Sequence, residues 1–448
     1  LPWSPRSITP SSCERGPRTM RSAGLVFVFA LLSLGARAAE DPSTRDLLKQ
    51  ASAARDAKRW DEALERSEAA LKVQPRNADA WDIAGYANLE TGRLAQAEEC
   101  FRQAVKLKPL HTSARFGLAR VVLDERRYED AAERFGQLRK DSPDYCPFWA
   151  RNNLGYALYQ LGRYDEAAKL FDEALKDSSE RNVKVWLNAV GNEFGRRNYR
   201  RALEISEQAT RAFPQDPWVW HKLGWAHKYL KENAQAHAAF QKARELAFPD
   251  KGAEPQIALA LPFRGCWKVT QGNRGEVSHE GIDDCFAWDF QAVDNDANIY
   301  VNKGKKNTDY ASFGREIIAP ADGTVIYSRD GIRDNEPGEV NPTVTEAQGN
   351  AVHIQQPTGE VLRLYHFQKG SVRVKVGEKV KRGDCVGLCG NSGLSDEPHL
   401  HFGLVRYTDG NALSCPCCFS SVWTGRGENR ARKEKAVPQR GEFVENEH

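Results

Sequence analysis

The stretch Gly390-Asn391-Ser392-Gly393-Leu394-Ser395-Asp396-Glu397-Pro398-His399-Leu400-His401-Phe402 decides how the second half of this chain is read. Its two histidines are separated by one leucine and run into an apolar stretch, Phe402-Gly403-Leu404-Val405. On a strand, side chains two apart share a face. A strand here presents both imidazoles to one cleft and sends Leu400 to the core. Neutral imidazole is the commonest transition-metal ligand, so this pair on a rigid element suits a metal site. The alternative is two ordinary surface histidines, and the surrounding sequence has to decide between them.

Working outward, the residues on the N-terminal side of this stretch favour strands and turns. Ile317 to Tyr327 reads as strand, turn and strand, with Asp322-Gly323 supplying the turn. Asn350 to Ile354 and Val361 to Phe367 read as two further strands around Pro357-Thr358-Gly359, and Val372 to Val386 alternates apolar and polar residues. The expectation is a mostly antiparallel β domain. Around Pro249 to Pro255 the pattern changes, in a Pro/Gly-containing segment, and upstream of it the period is helical.

That helical half repeats itself. Alanines recur at 63, 97, 131, 167, 202 and 236, and in the clearest unit Trp81, Ala84, Gly85, Ala97, Phe101, Ala104 and Pro109 occupy regular offsets. Later units echo them with Leu154-Gly155, Phe171 and Ala174, then with Trp220, Leu223-Gly224, Phe240 and Ala243. Small residues let paired helices approach, aromatics fill the space between units, and proline ends the second helix. The pattern resembles the tetratricopeptide repeat, in about six units. The resemblance implies an all-α solenoid whose concave face takes a protein or peptide partner. His111, His221, His227 and His237 are scattered through it and are read as structural or solvated, not as ligands.

Composition fits a globular chain. It has 448 residues, too many for one ordinary domain, with 40% hydrophobic and 28% charged residues. A net charge of +3 gives no argument for nucleic acid. Near the start, Met20-Arg21 precedes an apolar run from Ala23 to Ala36 and then Ala36-Arg37-Ala38. This is the pattern of a cleaved export signal, too short to span a bilayer. Residues 1–19 are read as an over-extended gene model, 20–38 as the signal peptide and Ala39 as the mature N-terminus. The body of the protein is therefore expected to be exported to a bacterial periplasm or cell envelope, with no membrane span. Most cysteines lie after Leu261, where an oxidising compartment permits bridges. Cys266 with Cys285 is one candidate pair, and disulfides are preferred to a soft-metal site for Cys415, Cys417 and Cys418.

In order, Ala319-Pro320-Ala321-Asp322-Gly323, Gly349-Asn350, Tyr365-His366, Gly377-Glu378-Lys379-Val380, Gly390-Asn391-Ser392-Gly393 and His399-Leu400-His401-Phe402 resemble the lysostaphin-type (LytM-like) zinc metallopeptidases. Upstream, Leu261-Pro262-Phe263, Ser278-His279 and Ala287-Trp288-Asp289-Phe290 fit that family's first metal motif. The resemblance implies Zn²⁺ held by His279, Asp289 and His401, with a water completing the site, and His366 and His399 as non-ligand histidines beside that water. It further implies hydrolysis of peptide bonds in peptidoglycan stem peptides or cross-bridges. A non-catalytic murein-binding or hydrolase-activating scaffold is the alternative. His279-Glu280-Gly281-Ile282-Asp283 also fits a compact form of the first motif. Asp289 is preferred because an apolar strand makes an unmatched carboxylate costly to bury, and His353 matches no ligand position. Two insertions, Asp294 to Phe313 and Asp330 to Gln348, lengthen loops beside the site. The domain reading is a solenoid over 44–248, a linker over 249–260 and a peptidase domain over 261–448.

Overall fold

Among the described residues, twelve helices precede fourteen strands, as the change of period requires. The computed structural model describes residues 42–145, 147–176, 182–249, 257–272, 279–340, 347–408 and 411–446. The export-signal reading and Cys146 lie outside the described residues. The helices are α1 (Pro42–Asp56), α2 (Trp60–Val73), α3 (Ala78–Glu90), α4 (Leu94–Leu107), α5 (Thr112–Asp124), α6 (Tyr128–Asp141), α7 (Pro147–Gln160), α8 (Tyr164–Lys176), α9 (Val183–Gly195), α10 (Tyr199–Ala212), α11 (Pro217–Tyr229) and α12 (Asn233–Ala247). They form a tetratricopeptide-type array. The chain divides into two compact units at Ala174/Leu175, so α9–α12 group with the strands that follow them.

Within the first unit the sequence offsets have direct packing causes. Phe101 on α4 is fully buried. A Cβ on Gly85 of α3 would come within 2.5 Å of its ring, and one on Gly117 of α5 would collide with the same ring. One aromatic thus fills the space between its own unit and the next. In the second unit Phe240 of α12 meets Gly224 of α11 in the same way. The conserved geometry extends to the tryptophans: Trp81 Nε1 donates to Pro75 O and Trp220 Nε1 to Pro214 O, both at 2.9 Å.

The turns between paired helices carry a second periodicity. Lys58, Gly92, Arg126, Gly162, Arg197 and Lys231 all have positive φ, between 57° and 77°. Each ends the first helix of a pair in a left-handed residue, a conformation that costs a side chain with a Cβ about 1–2 kcal/mol. Glycine occupies it in only two of these six turns. Replacing exposed Arg197 by glycine should therefore stabilise the array by about 0.5 kcal/mol, the relief of strain exceeding glycine's extra chain entropy. Urea unfolding followed by helical circular dichroism measures it, and a lower midpoint would contradict the strain argument.

The strands are β1 (Ile257–Leu259), β2 (Trp267–Gln271), β3 (Trp288–Ala292), β4 (Glu316–Ile318), β5 (Gly323–Arg329), β6 (Asn350–Gln355), β7 (Val361–Phe367), β8 (Lys379–Val380), β9 (Cys385–Leu388), β10 (Leu400–Thr408), β11 (Asn411–Ser414), β12 (Cys417–Thr424), β13 (Ala431–Ala436) and β14 (Phe443–Asn446). The main sheet runs β1-β12-β14-β2-β3-β10-β7-β6-β5-β8, with β11 on β10 and β13 on β12. Among the described strands, β1 on β12 is the parallel pair. One face is apolar: Trp288, Phe290, Leu400, Phe402, Leu362, Leu364, Val352 and Ile354 form a single buried core with Trp267 and Phe419. The opposite face of the same strands carries the polar residues.

Three expectations need correction. Ile317 to Tyr327 is not a hairpin, because β4 pairs with β9 in a separate two-stranded sheet while β5 pairs with β6 and β8. Gly323 opens β5 instead of forming a turn, and a Cβ there would lie 2.5 Å from Gln355 O. Nor are Cys266 and Cys285 bridged; both are free thiols. In the β2–β3 hairpin Val293 N bonds Cys266 O. Cys285 lies beyond the far end of β3, roughly 16 Å away along that strand alone at the usual rise per residue. A disulfide needs Cα atoms within about 7 Å. Cys415 and Cys417 are likewise free thiols.

Candidate metal centre

The sheet register builds the centre. His401 in β10 lies opposite Asp289 of β3 on one side and Tyr365 of β7 on the other. Cross-strand partners share a face, so an aspartate, an imidazole and a phenol form one row on the polar side. Alternation explains how β3 carries a carboxylate among aromatics, since Trp288 and Phe290 turn to the core and Asp289 turns away. Leu400 is buried on the core side, as the His-x-His spacing predicts.

Asp289 is the hub. Its Oδ1 is 3.0 Å from His401 Nδ1 and 3.7 Å from His399 Nε2, and its Oδ2 is 3.3 Å from His279 Nε2. Ligand atoms of His279, Asp289 and His401 all lie within 4.8 Å of one another. The His279 and His401 rings stand at 86° with centroids 4.9 Å apart, and Tyr365 stacks on His401 at 5.0 Å and 6°. Asp283, the alternative carboxylate, faces His221 of α11 at 3.6 Å. His353 is buried on the same sheet face but stacks on Tyr327, 4.7 Å between centroids.

His366 enters the group through a defect in the sheet. Asn350 pairs with Phe367 and Ala351 with Tyr365, so His366 is the extra residue of a bulge. Its φ is +66°. Bulges re-aim side chains beside active sites, and this one brings the His366 ring to 4.7 Å from His399 and 6.1 Å from His401. All five residues singled out from the sequence therefore meet in one place.

The surroundings fix tautomers and charge. His366 Nδ1 lies 2.8 Å from Ser392 O, and His399 Nδ1 lies 2.8 Å from Glu397 O. A carbonyl only accepts, so each Nδ1 carries the proton and each Nε2 presents a lone pair. Burial, aided by the neighbouring His399 and His401, holds the His366 pKa well below the ordinary histidine range. Burial also lowers His401, against the pull of Asp289. For His279 burial acts downward too, but the charge and hydrogen bond of Asp289, with Asp284, outweigh it and lift the imidazole to about 9. Burial would raise Asp289, yet the charges of His279 and His399 and the hydrogen bonds from His279 and His401 hold it well below the usual carboxylate range.

Sequence reasoning missed the residues that brace the two imidazole-bearing loops. Asp334 Oδ1 accepts from Asn391 N and its Oδ2 from Lys369 N. Asn335 Nδ2 donates to Gly393 O and Ser395 O. Asn350 Nδ2 donates to Phe367 O at the bulge, and Ser392 Oγ donates to the same oxygen. The described part of the second insertion is thus tied to the loops beside His366 and His399. The first insertion joins it, since Asn307 Nδ2 donates to Asn335 O. Only the polar, Asn/Asp-rich composition of these loops hinted at it.

A helix-pair repeat array followed by a sheet that, with the loop ahead of β3, gathers two imidazoles and a carboxylate defines a repeat-bearing protein with a candidate metal centre. Comparison with known proteins agrees: residues 303–414 match Peptidase family M23, and 48–109, 84–145 and 116–182 match Tetratricopeptide repeat. The chain carries an M23 domain of the LytM type behind tetratricopeptide repeats. The M23 match includes His366, His399 and His401, whereas His279 and Asp289 precede it. The peptidoglycan DD-endopeptidase ShyA of Vibrio cholerae is 35% identical over 99 residues, 22% of this chain and 19% of its own length. Endolysin 2638A of a Staphylococcus phage is 52% identical over 87 residues, 18% of each chain. Protein FlbA of Caulobacter vibrioides is 26% identical over 246 residues, 53% of this chain and 40% of FlbA. The chain thus spans less than half the length of these relatives. Among solved structures, a tetratricopeptide repeat protein from Parabacteroides merdae aligns at 20% identity and a TM-score of 0.39, covering 48% of this chain and 82% of that one. Among the described residues, no helix is long and apolar enough to cross a membrane.

Proposed function

We propose that the protein is an exported zinc metalloendopeptidase that hydrolyses peptide bonds in peptidoglycan stem peptides or cross-bridges, acting in the bacterial periplasm or cell envelope. The observation that carries this reading is the convergence of His279, Asp289 and His401 with His366 and His399 beside them. The donor set fits the metal: two imidazoles and a carboxylate are the composition of a hydrolytic zinc site that leaves one position to water.

Zinc bound there supplies an acidified water and a polarised scissile carbonyl. The chain's own residues do the rest. His366 and His399 each tie Nδ1–H to a backbone carbonyl and so keep a bare Nε2, and one of the two takes the water's proton. Once protonated, the same Nε2–H donates to the developing oxyanion or the leaving amine. Asp289 aligns His401 and His279, and Tyr365 fixes the His401 ring by stacking. The tetratricopeptide array tethers the enzyme to an envelope protein or peptide. Digestion of purified sacculi with muropeptide analysis tests the reading; intact stem peptides after incubation with the metal-loaded protein would favour a binding or activating role.

Metal binding should release a proton. With its pKa raised to about 9, His279 is protonated in the metal-free protein at neutral pH. The raised value contributes stability that is complete below the unfolded histidine pKa and disappears as pH climbs through about 9. A ligand nitrogen must be bare. Apparent zinc affinity should therefore rise about tenfold per pH unit from 7 towards 9 and then level. Calorimetry in buffers of different ionisation enthalpy measures the proton count, and zero protons at pH 7 would contradict the assignment.

A further inference from the structure

Asp289 and His401 are held by the sheet, but His279 is not. It opens a loop, 279–287, ahead of β3, and that loop is gripped from the helical side. Arg244 Nη1 of α12 donates to Glu280 O at 2.6 Å. The Glu280 carboxylate accepts from Lys228 Nζ of α11 at 3.3 Å and lies 2.8 Å from His237 Nδ1 of α12. Next along the loop, a Cβ on Gly281 would stand 2.8 Å from the His221 ring of α11, so only glycine lets helix and loop approach this closely. Asp283 then faces His221, and Phe286 meets Phe248, just beyond α12, edge to face at 5.0 Å. Contacts at Glu280, Gly281, Asp283 and Phe286 thus hold the segment between one proposed ligand and the strand carrying another. Glu280 is largely covered, its side chain 14% exposed, while its partner His237 is 59% exposed.

We propose that the last helix pair is part of the metal centre's scaffold: α11 and α12, through Lys228, His237 and Arg244, clamp Glu280 and so hold His279 at coordination distance from Asp289 and His401. Glu280 and Arg244 are positioning residues. They touch no ligand atom, but they fix the backbone from which a ligand hangs, as outer partners of metal sites do. Zinc affinity accordingly depends on side chains outside the sheet. The proposal rests on His279, Asp289 and His401 being the metal site.

The test uses the full chain. Zinc affinity is measured by competition with a chromogenic chelator, and site geometry by the visible absorption of the Co²⁺-loaded protein. Arg244→Met and Glu280→Gln should each bind zinc about tenfold more weakly and alter the Co²⁺ bands, with helical circular dichroism unchanged. Arg244→Lys, which keeps a donor, should recover most of the affinity. Arg115→Met, which removes the Arg115–Asp141 pair elsewhere in the repeats, should match the wild type. Affinities within twofold of wild type and unchanged bands for Arg244→Met and Glu280→Gln would overturn the clamp. A full complement of zinc in His401→Ala would overturn the site assignment instead.

Discussion

His401→Ala should purify without zinc and release no peptide fragments from sacculi, a loss of at least a thousandfold. The size follows from what the residue touches. His401 supplies one of three donor groups, and a two-donor remnant cannot hold a hydrolytic ion at ordinary concentrations. Its removal also strips Asp289 of the hydrogen bond at 3.0 Å and leaves Tyr365 without the ring it stacks on. Asp289→Asn should act through the same observable for a different reason. The amide keeps the shape but loses the charge that outweighs the burial of His279, so that imidazole should return towards or below its ordinary pKa. Metal content by emission spectroscopy, fragment release and the histidine NMR titration separate the two variants. Hydrolysis by His401→Ala at the wild-type rate would sink the peptidase reading.

Phe101→Ala should cost the first compact unit about 3–5 kcal/mol, the usual range for deleting a fully buried aromatic. Its ring lies against Gly85 and Gly117 and meets Tyr86 edge to face at 5.0 Å. Two helix pairs lose their shared filler at once. Stability in such arrays is carried by nearest-neighbour interfaces, so the loss should appear as an early helical transition in urea. The sheet signal, followed by hydrogen exchange of its strand amides, should keep its midpoint. A single cooperative shift of both signals would mean that the units unfold together.

Much of this architecture was legible because it rests on period. The alanine spacing located every repeat, and the His399-Leu400-His401 alternation placed two imidazoles on one face with Leu400 in the core. The preference for Asp289 over Asp283 came from burial cost; the register sets Asp289 opposite His401, its Oδ2 lies 3.3 Å from His279, and Asp283 faces His221. What could not be read depends on pairing at a distance. Asp322-Gly323 has a turn's composition, yet β5 takes its partners from β6 and β8. Local sequence gives no hint that Cys266 sits level with Val293. The left-handed Lys58, Arg126, Arg197 and Lys231 run against propensity and are visible only in the backbone. Asp334 and Asn335 looked like solvated loop residues because their acceptors and donors lie at 369 and 391–395, far along the chain.

The bulge at position 366 has an evolutionary corollary. An imidazole there sits in a backbone region that glycine or asparagine occupies at little cost, so keeping the ring at this position costs the fold a little stability. A descendant that gave up cleavage and kept only adhesion would shed that burden first. Drift at this one codon, ahead of any change at the ligands, would mark the loss of chemistry.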